Sequence, residues 1–212
     1  MNAPDPIDPI IDAAPVMAVV TVDDAASAVG LARALVAGGA RTVEITLRTP
    51  GALDAIKAVA AEVPEAIVGA GTVLNARDYE RAVEAGARFV VSPGATQALY
   101  DAADGASIPF LPGVATASEI MTGLERGHRR FKFFPAESAG GASAVSSFAG
   151  PFADVRFCPT GGITVERAKD YLALPNVACV GGSWLAPKGA IAEGRWDEIT
   201  ALAEKTAGLR GQ

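Results

Sequence analysis

The sequence has few of the residues that bind metals or form disulfides. It contains one histidine, His128, and two cysteines, Cys158 and Cys179, which stand apart in apolar runs without metal-ligand spacing. Paired carboxylates that could hold a cation are also missing from the predicted strand ends. We therefore expect no metal site, no disulfide framework, and two buried thiols of the kind found in a reducing cytoplasm.

Positive charge and long apolar runs are scarce as well. The 18 Lys and Arg are outnumbered by 24 Asp and Glu, which gives a net charge of −6 and argues against a nucleic-acid or anionic-membrane partner. No stretch approaches the roughly 20 apolar residues of a membrane span, and the N-terminus lacks the features of a signal peptide. These properties predict a cytoplasmic protein that can still bind a small anion through local arginines and backbone N–H groups.

The remaining composition is that of one globular domain, with 212 residues, of which half are hydrophobic and 20% charged. Eight short apolar runs, about 20 to 27 residues apart, alternate with Ala- and Leu-rich stretches at helical spacing. The runs are VMAVVTV from Val16, TVEITLR from Thr42, AIVGAGTV from Ala66, RFVVSPG from Arg88, IPFLPGVA from Ile108, RRFKFFPA from Arg129, VRFCPTGGI from Val155 and VACVGGSWL from Val177.

Eight strand-then-helix units predict an α/β protein, a single-domain (β/α)8 TIM barrel, over residues 16–212. An open doubly wound sheet uses the same alternation but seldom needs eight strands at so regular a spacing. Residues 1–15 are predicted to form an arm or a short helix that covers the N-terminal end of the barrel. Gly38, Gly86 and Gly127 are predicted to end helices in the left-handed conformation.

Polar residues concentrate where the predicted strands end, which is the end that carries the active site in such barrels. On the second strand Glu44, Thr46 and Arg48 alternate with Val43, Ile45 and Leu47, so the polar face is expected to point inward. A glutamate inside a barrel is costly unless it is paired or used in catalysis. A structural pairing of Glu44 with Arg48 at the barrel mouth is the alternative interpretation.

Lys132, on the sixth predicted strand, is the strongest single signal. It stands among Phe131, Phe133 and Phe134, and apolar surroundings favour the uncharged, nucleophilic amine. The alternative is a lysine whose stem is buried and whose head reaches water. Strands two and six are opposite each other in an eight-stranded barrel, so Lys132 and Glu44 are expected to converge, as imine chemistry requires.

Glycine-rich segments follow the third, seventh and eighth predicted strands. Thr160, Gly161 and Gly162, and then Gly182 and Ser183, occupy the two loops that often bind phosphate in TIM barrels. Tight turns without a ligand are the alternative. Gly69 to Thr72 leave room at the barrel mouth, with Thr72 as a hydroxyl donor, and Pro93 ends the fourth strand.

The chain resembles the class I 2-keto-3-deoxy-6-phosphogluconate (KDPG) aldolase family, whose members often also cleave 4-hydroxy-2-oxoglutarate (KHG). The similar segments span about residues 15–185, and the most specific are TVEITLRT and FKFFPAE. The resemblance implies that Lys132 forms the Schiff base and that Glu44 is the general acid and base. It implies a reversible cleavage to pyruvate and glyceraldehyde 3-phosphate in the Entner–Doudoroff route, without a metal or other cofactor, in a homotrimer.

The resemblance also implies the binding residues. Arg48 and Thr72 would hold the pyruvyl carboxylate, Pro93 and Phe134 would shape that pocket, and the phosphate would be held by Thr160, Gly161, Gly162, Gly182 and Ser183. The first strand departs from the family pattern: Ala18 replaces a common proline, and Thr21 stands where some relatives have an arginine. These departures put substrate preference in question more than mechanism.

Two other interpretations fit parts of the sequence. A phosphate-binding barrel isomerase or epimerase would use Glu44 without covalent catalysis, but it gives no reason for Lys132. A non-catalytic scaffold or phosphosugar sensor would be expected to have lost Lys132 or Glu44, and both are present. Which substrate the aldolase prefers among KDPG, its galactonate epimer and KHG is left open.

Overall fold

The computed structural model describes residues 5–210 and has an α/β fold built on a curled parallel sheet. Strands β5-β4-β3-β2-β1-β9 form one six-stranded sheet and β6-β7-β8 a second sheet of three, and every pair is parallel. The strands are β1 Val16–Val20, β2 Thr42–Thr46, β3 Ile67–Gly71, β4 Val90–Val91, β5 Phe110–Leu111, β6 Gly113–Val114, β7 Arg130–Phe133, β8 Arg156–Pro159 and β9 Val180–Gly182.

One helix precedes the first strand, and the others lie between strands or follow the last one. They are α1 Asp8–Ile11, α2 Ala25–Ala37, α3 Ala52–Glu62, α4 Ala76–Glu84, α5 Gln97–Asp104, α6 Ala117–Glu125, α7 Gly141–Ser147, α8 Val165–Leu172, α9 Lys188–Ala192 and α10 Trp196–Ala207, with a 3-10 turn at Gly208–Arg210. Five helices, α2, α4, α5, α6 and α8, are capped at their N-terminus by a side-chain oxygen that accepts a backbone N–H of the first turn; these oxygens belong to Asp24, Asn75, Thr96, Thr116 and Thr164. Within the described residues, no helix is both long and apolar enough to cross a membrane.

One predicted helix end is shifted by a residue. Gly86 and Gly127 have the predicted positive φ, of 88° and 83°, but Gly38 has a φ of −84°, and Gly39 is the left-handed residue at 87°. The N–H of Gly38 still bonds to the Ala34 carbonyl, so Gly38 completes the last turn of α2. The chain then reverses at Gly39, which is the position where a left-handed cap needs glycine.

The fifth predicted strand is divided at Pro112. Pro112 has no N–H to donate to a neighbouring strand, so β5 pairs with β4 on one side and β6 pairs with β7 on the other. The Pro112 carbonyl still accepts the Lys132 N–H at 2.9 Å. Between the β8 and β9 segments, which belong to different sheets, isolated parallel bridges join Phe157 to Val177 and Thr160 to Gly181.

The sheet separates two apolar layers. The larger layer lies between strands and helices and includes Val43 and Ile45 of β2, which were predicted to face the helices. The smaller layer lies on the inner face and at one end, where residues of the α1 region meet strand residues. Its members are Ile7, Ile10, Ile11, Met17, Phe89, Val91, Leu111, Cys158, Ala178 and Cys179.

Ion pairs hold the α1 region over the N-terminal end of the sheet. Asp8 accepts a hydrogen bond from Arg130 Nη2 at 3.0 Å, and Asp12 accepts one from Arg156 Nη2 at 2.9 Å. Because Arg130 and Arg156 begin β7 and β8, this end of the curled sheet is covered. The opposite end, where the parallel strands terminate, is where a small molecule can enter.

Candidate active site

A buried ion pair occupies the inner face of the sheet. Lys132 Nζ lies 3.0 Å from Glu44 Oε1, which confirms the predicted convergence of β2 and the strand that carries the lysine. Only 5% of Lys132 and 1% of Glu44 are exposed. Removing two such charges from water is expensive, so the pair marks this place as a candidate for chemistry rather than for stability.

The phenylalanines next to Lys132 are arranged differently from the sequence prediction. Phe131 and Phe133 point to the outer face, where they belong to the layer packed against the helices, because side chains alternate along β7. Only the ring of Phe134 is close to the amine, with its centroid 5.4 Å from Nζ. The immediate surroundings of Lys132 are therefore one carboxylate and one aromatic ring, rather than three aromatic rings.

Gly71, the last residue of β3, makes room for the carboxylate. A Cβ atom at this position would lie 2.1 Å from Glu44 Oε1 and 2.5 Å from Glu44 Cγ, closer than any real contact. Of the predicted open space beside Gly69 to Thr72, the part next to Gly71 is thus filled by the Glu44 side chain, and the part next to Gly69 by the Phe89 ring. An adjacent glycine is what allows the carboxylate to reach Lys132.

Arg48 and Thr72 lie together at the open end. Arg48 Nε donates to Thr72 Oγ1 at 3.3 Å, and the guanidinium is exposed. Strand β2 ends at Thr46, so Arg48 lies in the following turn and does not share the strand periodicity of Glu44 as predicted. Thr72 has a φ of 58°, which is strained for a β-branched residue, and such strain is common at functional sites.

Pro93 and Phe134 lie on segments next to the strand that carries the lysine. Gly113 is the Cα partner of Lys132, and a Cβ atom on Gly113 would lie 2.3 Å from the Pro93 carbonyl carbon. Phe134 follows β7 directly and is half-buried. The Phe134 ring is therefore close to the amine, whereas Pro93 packs against the backbone of Gly113, the strand neighbour of Lys132.

The two glycine-rich loops are neighbours. Thr160 pairs with Gly181 in an isolated bridge, and a Cβ atom on Gly181 would lie 2.2 Å from Thr160 Oγ1. Gly161 and Gly162 have φ values of 105° and 76°, conformations that only glycine adopts readily. Ser183 is exposed directly after β9.

Phe134 connects these loops to the lysine. Its ring lies 3.2 Å from where a Gly161 Cβ atom would stand, and its other side is near Lys132. Phe134 therefore lies close both to the buried amine and to Gly161 in the first of the loops that were predicted to hold phosphate.

A second charged cluster, which was not predicted from the sequence, lies beside the glycine-rich loops. Glu137 accepts a 2.6 Å hydrogen bond from the Tyr171 hydroxyl and pairs with Arg167 Nη1 at 2.7 Å. Burial, followed by the Glu137 carboxylate, raises the pKa of Tyr171, so this hydroxyl remains a donor. Glu137 ends the FKFFPAE segment, so its position in that segment was the available signal.

The cysteines and the histidine lie outside this chemistry. Cys158 and Cys179 are buried, with their sulfurs 3.4 Å apart and no disulfide between them. His128 packs between Tyr100 and Phe110, before β7 begins. Within residues 5–210, no group of three or more His, Cys, Asp or Glu side chains could hold a metal ion.

This arrangement defines a parallel α/β protein with a site for covalent amine catalysis: a buried lysine in contact with a carboxylate at the open end of the sheet. The model of the KDPG and KHG aldolase family matches residues 7–202. The chain belongs to this family.

Individual relatives are similar over nearly their whole length. The KHG/KDPG aldolase of Escherichia coli K12 is 54% identical over 196 residues, 92% of each chain. The 2-dehydro-3-deoxy-phosphogluconate aldolase of Zymomonas mobilis is 51% identical over 204 residues, 96% of each chain. A crystal structure of the Legionella pneumophila KDPG aldolase, with pyruvate captured as a covalent carbinolamine, has a TM-score of 0.93 at 44% identity, covering 96% of this chain and 98% of that one.

Proposed function

We propose that this protein is a lyase, a Schiff-base aldolase that reversibly cleaves KDPG to pyruvate and glyceraldehyde 3-phosphate. We propose that it also cleaves KHG to pyruvate and glyoxylate. The observation that carries the proposal is the contact of a buried amine, Lys132, with a buried carboxylate, Glu44. The names of the relatives, and the carbinolamine captured in one of them, support the same chemistry.

Schiff-base formation begins with proton transfer within the ion pair. The Lys132 ammonium gives a proton to Glu44 across 3.0 Å, and the free amine attacks the keto carbon while the carbonyl electrons move to oxygen. A proton passes from nitrogen to that oxygen and gives the carbinolamine. Glu44 then protonates the hydroxyl, which leaves as water, and the nitrogen lone pair forms the iminium ion.

Carbon–carbon cleavage uses the same two groups. Glu44, again a carboxylate, accepts the proton of the C4 hydroxyl, and the C3–C4 bond breaks as C4 becomes the aldehyde. The electron pair of the broken C3–C4 bond forms the C2–C3 double bond of an enamine, and the π electrons of the iminium bond move to its nitrogen. After the aldehyde leaves, Glu44 protonates C3, and water releases pyruvate from Lys132.

The surrounding residues bind the two halves of the substrate. Arg48 and Thr72 hold the carboxylate of the pyruvyl half, because a guanidinium and a hydroxyl at the open end are suited to an anion. Pro93 and Phe134 form the apolar wall beside the amine. The phosphate is held by backbone N–H groups and hydroxyls of Thr160, Gly161, Gly162, Gly182 and Ser183.

Reduction with borohydride in the presence of pyruvate tests the proposal. The wild-type protein is expected to gain the mass of one reduced pyruvyl group on Lys132, because borohydride fixes the iminium ion. Lys132→Ala should lose both the adduct and KDPG cleavage, whereas Lys57→Ala, which removes an exposed lysine of α3, should retain both. Absence of the adduct in wild-type protein, under conditions that label another class I aldolase, would refute the mechanism.

Glu44→Gln tests the role of the carboxylate separately from the role of the lysine. A neutral amide cannot take protons from the C3 methyl group, so exchange of pyruvate methyl protons with deuterated solvent is expected to fall by at least about a hundredfold. The fold should persist, because the amide can still accept a hydrogen bond from Lys132. Proton exchange at the wild-type rate in Glu44→Gln would remove Glu44 from its assigned role.

The finer architecture belongs to the same proposal. We propose a single-domain, closed (β/α)8 barrel over residues 16–212, preceded by an N-terminal arm or short helix over residues 1–15, of which residues 1–4 lie outside the described residues and Asp8–Ile11 form α1. Closure is supported by the Pro112 junction between β5 and β6 and by the two bridges next to β8 and β9. Hydrogen exchange that protects β8 and β9 as strongly as β2 would be the expected result.

The cellular setting is proposed from the family resemblance. We propose a cytoplasmic homotrimer that catalyses the last step of the Entner–Doudoroff route on a small phosphorylated keto acid. Light scattering on purified protein should give three times the mass of the chain. Deletion of the gene should prevent growth on a sugar that enters metabolism only by this route.

A further inference from the structure

Thr21 lies on the inner face of the sheet at its open end. Side chains alternate along β1, and Met17 belongs to the inner apolar layer, so Val19 and Thr21 face inward as well. Val19 is the Cα partner of Glu44, and Thr21 is two residues further toward the open end. Both Val19 and Thr21 are partly exposed, so the cavity next to them is open to solvent.

Two hydroxyl groups at this position are hydrogen-bonded in series. Thr46 Oγ1 lies 3.0 Å from the Val20 carbonyl oxygen, and Thr21 Oγ1 lies 2.8 Å from Thr46 Oγ1. A carbonyl oxygen cannot donate, so the single hydroxyl proton of Thr46 is used on Val20. The proton between the two threonines therefore comes from Thr21.

This series fixes what Thr21 can offer to a ligand. Its only proton is used on Thr46, and among the described residues no other donor reaches its oxygen. The remaining lone pairs can only accept a hydrogen bond. A carboxylate, a phosphate dianion or a keto oxygen would be repelled there, whereas a ligand hydroxyl would be bound.

We propose that Thr21 is a specificity-determining residue that accepts a hydrogen bond from the C5 hydroxyl of the substrate. This inference rests on the proposed aldolase function and adds to it. The C4 hydroxyl is next to the bond that breaks and belongs to Glu44. Thr21 lies one strand repeat beyond the Glu44 level toward the open end, on the side where the part of a longer substrate beyond C4 has to extend.

The proposal separates the two candidate substrates. KDPG has a C5 hydroxyl, whereas KHG has a carboxylate at that carbon, which cannot donate when ionised. Thr21 should therefore favour the phosphorylated six-carbon substrate. An arginine at this position would instead favour an anionic group.

The test compares Thr21→Val, Thr21→Ser and wild-type protein in the condensation of pyruvate with glyceraldehyde 3-phosphate and with its 2-deoxy analogue. The aldehyde's C2 hydroxyl becomes the C5 hydroxyl of the product. Loss of one hydrogen bond predicts that Thr21→Val lowers kcat/KM for the natural aldehyde about fivefold to tenfold, with little change for the deoxy analogue. Thr21→Ser keeps the hydroxyl and should restore the preference.

A control and an independent readout complete the experiment. Thr49→Val removes another hydroxyl near the open end, one bonded to the Val22 carbonyl, and should leave the aldehyde preference unchanged. Equal loss for both aldehydes in Thr21→Val, or no loss for either, overturns the role of Thr21. If wild-type protein fails to form the borohydride-reduced pyruvate adduct, the aldolase function itself is refuted, and the role of Thr21 with it.

Discussion

Substituting Gly71 by alanine is expected to disable the site without removing any catalytic group. The new methyl group would stand 2.1 Å from Glu44 Oε1, so the carboxylate has to withdraw by about 1.3 Å to reach a contact of 3.4 Å. A movement of this size is nearly half the 3.0 Å distance between Lys132 Nζ and Glu44 Oε1, so it would disturb their contact. Misplacement of a reacting group by about 1 Å commonly costs on the order of 100-fold in rate, and we expect that loss in kcat.

Two assays resolve the effect of Gly71→Ala into its parts. Proton exchange at the pyruvate methyl group requires both the Lys132 iminium ion and Glu44 as the base, and should fall with kcat. Borohydride trapping reports on the amine and should still label Lys132, although more slowly, because Glu44 also assists dehydration of the carbinolamine. Overpacking typically costs about 1–3 kcal/mol, so the free energy of unfolding should also fall by that amount.

Two other glycines provide matched controls. A methyl group on Gly30 would meet the Trp196 ring at 2.7 Å, so Gly30→Ala overpacks the contact of α2 with α10, away from the site. A methyl group on Gly150 meets nothing within 4 Å. Both variants should keep kcat within about twofold of wild type. If Gly71→Ala also retained wild-type proton exchange, the close packing of Glu44 on Gly71 would have no catalytic role.

Three further predictions follow from the site and its surroundings. Thr72→Gly relieves a strained φ but removes the hydroxyl partner of Arg48. Thermal stability should therefore not fall, while the KM for pyruvate should rise severalfold. A loss of stability without a change in KM would contradict this prediction. Ser183→Ala should lower kcat/KM for KDPG more than for KHG in steady-state assays, and an equal effect would place the phosphate elsewhere. Burial lowers the pKa of His128 below its usual 6.5, against the opposing carboxylates of Asp5 and Asp104. Its contribution to stability is therefore complete above about pH 6.5 and is lost as the pH falls, so wild-type protein should lose more stability than His128→Asn in urea titrations between pH 7.5 and 5.

The contact between Lys132 and Glu44 was predictable because it depends on periodicity and strand order. Alternation along β2 places Glu44 on the inner face, and the position of β7 in the strand order places Lys132 across from it. Periodicity is a local property and strand order is a topological one, so both can be inferred without knowing any interatomic distance. The apolar neighbours of Lys132 were misinterpreted for the same reason: proximity in sequence does not imply the same face, and Phe131 and Phe133 lie on the outer one.

The close contacts of the site were beyond prediction from sequence. Nothing in the order of residues indicates that Gly71 holds space for Glu44, that Glu137 joins Tyr171, or that Pro93 touches Gly113. Each contact joins segments that come together only when the sheet curls. The sequence indicated open space beside Gly71, but which atoms use that space depends on the curvature of the sheet.

The amino-acid sequence by itself determined the alternation of strands and helices, the two catalytic candidates and the glycine loops, because these follow from residue type and spacing. Only the tertiary structure decided the 3.0 Å contact of Lys132 with Glu44 and the direction of the hydrogen bond from Thr21 to Thr46. A hydroxyl has one proton, and its direction depends on which carbonyl lies nearby. That carbonyl, of Val20, belongs to a neighbouring strand and is placed there by sheet pairing.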